Sequence, residues 1–205
     1  FNTAWDNNFD FDSSDGIGAG MIDFEGVAIH EIGHALGFTS GVDTFDIIQN
    51  SGFYDPTMDL DGYVNAHVLD LFRYSADSFA FGQGVKDFRP GADAYFSLDG
   101  GVTEIAPFST GRYATQCESQ TNPGTTEPCG EQASHWEDNL GLGIMDPTAD
   151  AGLMQVSAFD LRAFDAIGWD LASVTNVPEP TSIALFGLAA AGMFTSRRRK
   201  LKITK

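Results

Sequence analysis

Positive charge is almost missing from the first 180 positions. That stretch holds Arg73, Lys86, Arg89, Arg112 and Arg162 against all 29 acidic residues, a net of −24. A field of that sign repels nucleic acid and anionic membranes, and it favours solubility and divalent cations. Nucleic acid is therefore excluded as a partner, and most of the acids are expected on a solvated surface. An apolar run long enough to cross a bilayer is also missing. The run Ile183–Phe194 has 12 residues, against the roughly 20 that a spanning helix needs. Cysteine is limited to Cys117 and Cys129. They bracket a loop without apolar content, so a single disulfide in an oxidising compartment is expected. Closing a loop of that size stabilises by about 3 kcal/mol on the chain-entropy model. Two zinc thiolates are the competing reading, but a structural zinc site wants four ligands and the chain has no further cysteine.

Apolar residues are 42% of the 205, with 17 phenylalanines. That composition excludes a disordered chain and supports one domain with a real core. An acidic run from Asp6 through Asp10 and Asp12 to Asp15 invites a structural Ca2+. It does not fit an EF-hand loop, because Gly16 is one place late and Met21 occupies the closing glutamate position.

Histidine is scarce too, with four in the chain, yet two of them are four residues apart in His30-Glu31-Ile32-Gly33-His34. At helical spacing His30 and His34 share one face and can grip one metal ion. Glu31 lies about 100° around the helix from His30, out of direct ligation but within reach of a metal-bound water. Zinc acidifies such a water and a neighbouring carboxylate takes its proton. Asp23 is the expected N-cap, Phe24, Val27 and Ile32 the apolar positions for the buried side, and Gly37 the stop. The competing reading is a surface helix that happens to carry these residues. Two further histidines could supply a third ligand. His67 lies in Val64–Tyr74, where Val64, Val68 and Leu71 predict a helix, and reads as a surface or hydrogen-bonded side chain. His135 lies in Ser134-His135-Trp136-Glu137. A carboxylate ligand from Glu104, Glu118, Glu127, Glu131 or Glu137 is the remaining option, though none sits in a convincing helical setting.

The segment Val27–Phe38 resembles the active-site helix of metzincin metalloproteases. Six residues after the second histidine, where most metzincins place the third ligand, stands Ser40. The segment Gly143-Ile144-Met145-Asp146-Pro147 resembles their Met-turn. A third histidine displaced by a long insertion, in a His-Trp-Glu context just before the Met-turn, is the leishmanolysin arrangement. The chain is identified as similar to leishmanolysin-like bacterial proteases. That resemblance, over about Asp23 to Asp170, implies an α+β zincin fold and one catalytic Zn2+ on His30, His34 and His135. It implies Glu31 as general base and Met145 as the floor below the metal. Proteases of this type place a sheet-containing subdomain before the active helix. Only 29 residues precede His30, without an initiator methionine or signal peptide, so an N-terminally incomplete catalytic domain is expected.

Downstream, Ala94–Leu98 and Val102–Ala106 flank Asp99-Gly100-Gly101 and predict a hairpin. Ser157 and Asp160 predict a capping box for a helix through Ile167, with Leu161, Phe164 and Ile167 as its apolar stripe and Gly168 as its end. The catalytic domain is expected over 1–172, with an insertion at about 41–133, and a linker over 173–180. The tail, 181–205, follows Pro178-Glu179-Pro180 and carries the short apolar run and then Arg197-Arg198-Arg199-Lys200. This order resembles a PEP-CTERM sorting signal. It implies export from a bacterium, transient membrane insertion held by the basic cluster, and an exosortase-type processing partner that cuts near Pro178–Thr181. The reading is a secreted zinc metalloendopeptidase acting on protein or peptide. Its rival is an exported surface or matrix protein that keeps a protease fold without turnover.

Overall fold

The computed structural model describes residues 8–52, 57, 62, 65–114, 130–149 and 152–171. The chain separates into two units, Phe1–Asp170 and Leu171–Lys205. The first is a mixed α+β unit with few helices and small sheets. In chain order it contains β1 (Phe9–Asp10), β2 (Ile22–Asp23), α1 (Phe24–Ala35), α2 (Val42–Asn50), β3 (Arg73–Tyr74), α3 (Ala76–Phe81), β4 (Tyr95–Phe96), β5 (Ala106–Pro107) and α4 (Ala158–Ala166). Strands β1 and β2 pair in parallel. Strands β3, β4 and β5 form an antiparallel sheet in that order. Among the described residues no helix is long and apolar enough to cross a membrane.

Helix α1 starts as its sequence dictates. The Asp23 side chain accepts from the Gly26 N–H at 3.0 Å, satisfying a first-turn donor. Gly37, at φ 110°, ends the helix, and the Phe38 N–H donates back to the Gly33 carbonyl. The side it buries differs from expectation. Ile32 is 55% exposed, while Gly26, His30 and Gly33 are buried. The reason is close approach: a side chain on Gly33 would overlap the sulfur of Met145. Bare backbone, rather than an apolar stripe, seats α1 on the core.

That core is built from Phe38, Leu69, Phe96, Ala106, Phe108, Trp136, Ile144, Met145 and Ala163. Trp136 is its centre, stacked on Phe108 at 5.1 Å and edge-on to Phe38 at 4.9 Å.

Helix α4 has the expected capping box between Ser157 and Asp160, and Ile167 caps its end. Phe164 and Ile167 pack on the core, but Leu161 is exposed and Ala163 takes the buried place. The expected hairpin pairs, with β4 inside 94–98, but its second strand is shifted to the end of the expected 102–106 stretch: Tyr95 lies opposite Pro107 and Phe96 opposite Ala106. Asp99 holds the wide loop by accepting from Ser97 Oγ, Thr103 N and Thr103 Oγ1.

The helix expected over 64–74 is not present in its described part. A 3₁₀ turn covers Leu69–Phe72 and Arg73–Tyr74 joins the sheet. The Asp70 carboxylate explains the difference. It draws in the N–H groups of His67 and Gly41 and the hydroxyl of Ser40, which tightens the turn and fixes it to the start of α2. Cys117 and Cys129, with their expected disulfide, lie outside the described residues, as do Pro178–Pro180 and Arg197–Arg199.

Candidate metal centre

Helix α1 presents the first two imidazoles. His30 and His34 stand edge to face, with ring centroids 4.7 Å apart. The third comes from far along the chain: the His135 ring stacks over His30 at 5.2 Å and lies edge-on to His34 at 4.7 Å. The three Nε2 atoms converge, at 3.1 Å for His34–His30, 3.1 Å for His34–His135 and 3.3 Å for His135–His30. Among the described residues this is the group of side chains arranged to hold a metal ion.

The outward nitrogens determine what the inward ones can do. His30 Nδ1 meets the Ile144 carbonyl at 2.7 Å, His34 Nδ1 the Phe38 carbonyl at 2.8 Å, and His135 Nδ1 the Gln132 carbonyl at 3.1 Å. A carbonyl only accepts, so each Nδ1 carries the proton and donates it. Each Nε2 then faces the other two with a lone pair and no hydrogen between them. A cation at their centre turns that repulsion into ligation, which is the arrangement expected of metal-binding histidines.

Burial reinforces the neutral form. His30 is 9% and His135 6% exposed. Burial pushes the His135 ring down to about 4, with a further push from the neighbouring His34. His30 is lowered chiefly by burial, against the pull of the Ile144 carbonyl and the negative charges of Glu31 and Asp160. Those two carboxylates favour positive charge at the site. Glu31 is exposed on α1 beside His30, outside the three-histidine group.

His135 is held in place along its whole segment. Asp43, in the first turn of α2, accepts from the N–H groups of Ala133 and Ser134 and from the Ser134 hydroxyl. Burial raises its carboxyl above the usual range, against those hydrogen bonds. Ser134 Oγ in turn accepts from Ser40 N. The His135 carbonyl accepts from Ser109 N, Trp136 N donates to the Met145 carbonyl, and Glu137 N donates to the Pro107 carbonyl. Met145 is fully buried, with its sulfur against Gly33 of α1. Asp160 of α4 accepts from Trp136 Nε1, Ile144 N, Met145 N and Ser157 N.

The other candidates fall elsewhere. His67 is exposed and its Nδ1 meets Thr39 Oγ1 at 2.9 Å. Ser40, at the position where the metzincin pattern would put a ligand, is committed to Asp70 and Ser134. Glu104, Glu131 and Glu137 are not in the histidine group, while Glu118 and Glu127 lie outside the described residues. In the acidic run, Asp10 accepts from Asp12 N and Gly18 N, and Asp12 from Ser14 N and Oγ; both make local turns. Sequence reasoning missed Asp43 altogether and read Asp160 only as a cap.

Residues 176–200 match the family model of the PEP-CTERM protein-sorting motif. The motif marks an exported, surface-sorted bacterial protein and implies an exosortase as its processing partner. No curated protein and no solved structure matches the chain.

Proposed function

We propose that this chain is an exported zinc metalloendopeptidase of zincin architecture. The observation that carries the reading is the convergence of three Nε2 lone pairs, two from a His-Glu-Ile-Gly-His helix and one from a segment tied to a Met-containing turn. Their separations of 3.1–3.3 Å are close to the edge of a tetrahedron around an ion with metal–nitrogen bonds of about 2.0–2.1 Å, which is about 3.3–3.4 Å. Three neutral imidazoles leave one tetrahedral position open, the pattern of catalytic rather than structural zinc.

Zinc held there supplies Lewis acidity toward a peptide carbonyl and toward water. The chain's own residues do the rest. The Ile144, Phe38 and Gln132 carbonyls keep the three rings aimed. Glu31, exposed next to His30, accepts the proton given up by the attacking water and passes it to the leaving amine. Met145 packs beneath α1 and sets the floor of the site. The tail directs the chain to the surface.

Glu31→Ala tests the assignment, because it deletes a proton acceptor and no ligand. The variant is expected to bind zinc like the parent and to lose casein cleavage by about 10²–10⁴-fold. Undiminished cleavage by the variant sinks the mechanism. A parent that binds zinc and cleaves nothing favours the rival reading, a surface protein that keeps the site without turnover.

A further inference from the structure

We infer that Asp160 is a positioning residue for the metal centre, acting on two of the three ligands at once without touching either. The inference rests on the metal-site reading above.

Asp160 is fully buried in the middle of the aromatic core. A carboxylate in such surroundings is costly unless its lone pairs are satisfied. Here four N–H donors surround it, from three separate segments. Ser157 N lies at 2.7 Å, Trp136 Nε1 at 2.8 Å, Ile144 N at 2.9 Å and Met145 N at 3.3 Å. A helix cap needs only the first of these. The other three lead to the metal ligands.

One route runs through a single peptide unit. Asp160 accepts from the Met145 N–H of the Ile144–Met145 peptide, whose Ile144 carbonyl is the acceptor of His30 Nδ1, and from the Ile144 N–H one unit earlier. The second runs through the indole. Trp136 follows His135 directly, and its ring is held by Asp160 at one end and by Phe38 and Phe108 on its sides. The position is reserved for this carboxylate by Gly143, where a Cβ would overlap Asp160 Oδ2. Asp43 also holds the His135 segment, but its bonds reach Ala133 and Ser134 and not the His30 side.

Asp160→Asn keeps the shape and replaces an acceptor oxygen by an NH2 that faces N–H donors. Metal-site partners of this kind change affinity by about 10–100-fold. Zinc affinity of the full chain, measured by competition with a chromogenic chelator, is expected to fall within that range in Asp160→Asn. The ligand-field spectrum of the Co2+-loaded protein is expected to change with it. Ser157→Ala is the control. It removes the cap oxygen that serves Phe159 N and Asp160 N but leaves all four Asp160 contacts. It should lower thermal stability and leave zinc affinity and the Co2+ spectrum unchanged.

If Asp160→Asn does not fold, Trp136→Phe carries the test. It deletes one of the four donors and keeps an aromatic ring, and its zinc affinity should fall while that of Ser157→Ala does not. Equal affinities in parent, Asp160→Asn and Trp136→Phe overturn the inference and leave the metal site standing. A parent that binds no zinc or Co2+ overturns the site itself.

Discussion

At the scale of single residues, two histidines of the same chain make opposite predictions. His135 supplies one of three converging Nε2 atoms, so His135→Ala should release zinc far more readily than the parent. His67 hydrogen-bonds Thr39 on an exposed loop, and His67→Ala should keep the parental metal content. Metal analysis after dialysis against a weak chelator reads both. Equal retention in the two variants would reject the ligand assignment. His30 and His34 were legible from spacing alone, because a helix enforces the geometry of i and i+4. His135 was not, since no local rule links positions 101 residues apart. It became legible only through its resemblance to a displaced third ligand beside a Met-turn. The Asp43 and Asp160 contacts had no sequence signal beyond an acid near a helix start.

At the scale of elements, the carboxylates do much of what strands do in other folds. No described strand exceeds two residues, so buried N–H groups need other acceptors. Buried Asp23, Asp46, Asp70 and Asp160 accept from Met154, Tyr113, Gly41 and Ile144, among others. An acidic composition read as solvated surface is thus partly internal structure. This is also why the 64–74 helix was misread: periodicity counted Val68 and Leu71, which are exposed, and missed the pull of Asp70. Helices α1 and α4 were legible because their caps are local.

The turn at Met145–Asp146 adds a pH dependence. Burial pushes Asp146 up to about 6, with Asp160 and Asp138 adding to it against bonds from Gly143 and Leu142. A folded value above the ordinary 3.8 means that the native state binds the extra proton between the two values. The favourable contribution is therefore complete below about 3.8 and is lost as pH rises through about 6. Asp146→Asn should stabilise the fold at pH 8 relative to the parent, and the gain should vanish by pH 4. Urea midpoints at the two values measure it; a gain that grows on acidification would contradict the sign.

At the scale of the whole molecule, the sorting motif and the acidic unit fit together. The tail carries six of the chain's eleven basic residues, and losing 181–205 leaves the −24 stretch alone. Surface or secreted material from a host with the sorting system should lack Arg197–Lys200, with its new end near Pro178–Thr181, when read by mass spectrometry. Intact basic peptides in most mature molecules would make the tail an anchor instead. The site has its own whole-chain consequence. Contacts that assemble it join residues 90 to 114 positions apart: Asp43 with Ala133, Ser40 with Ser134, His34 with His135, His30 with Ile144. Helix α1 can form in about a microsecond on local information. The centre cannot, because each ligand contact to His135 first closes a loop of about a hundred residues. The order of events is therefore set by topology. The three-histidine geometry forms only once the segment carrying His135 and Ile144 is present, later than helix α1.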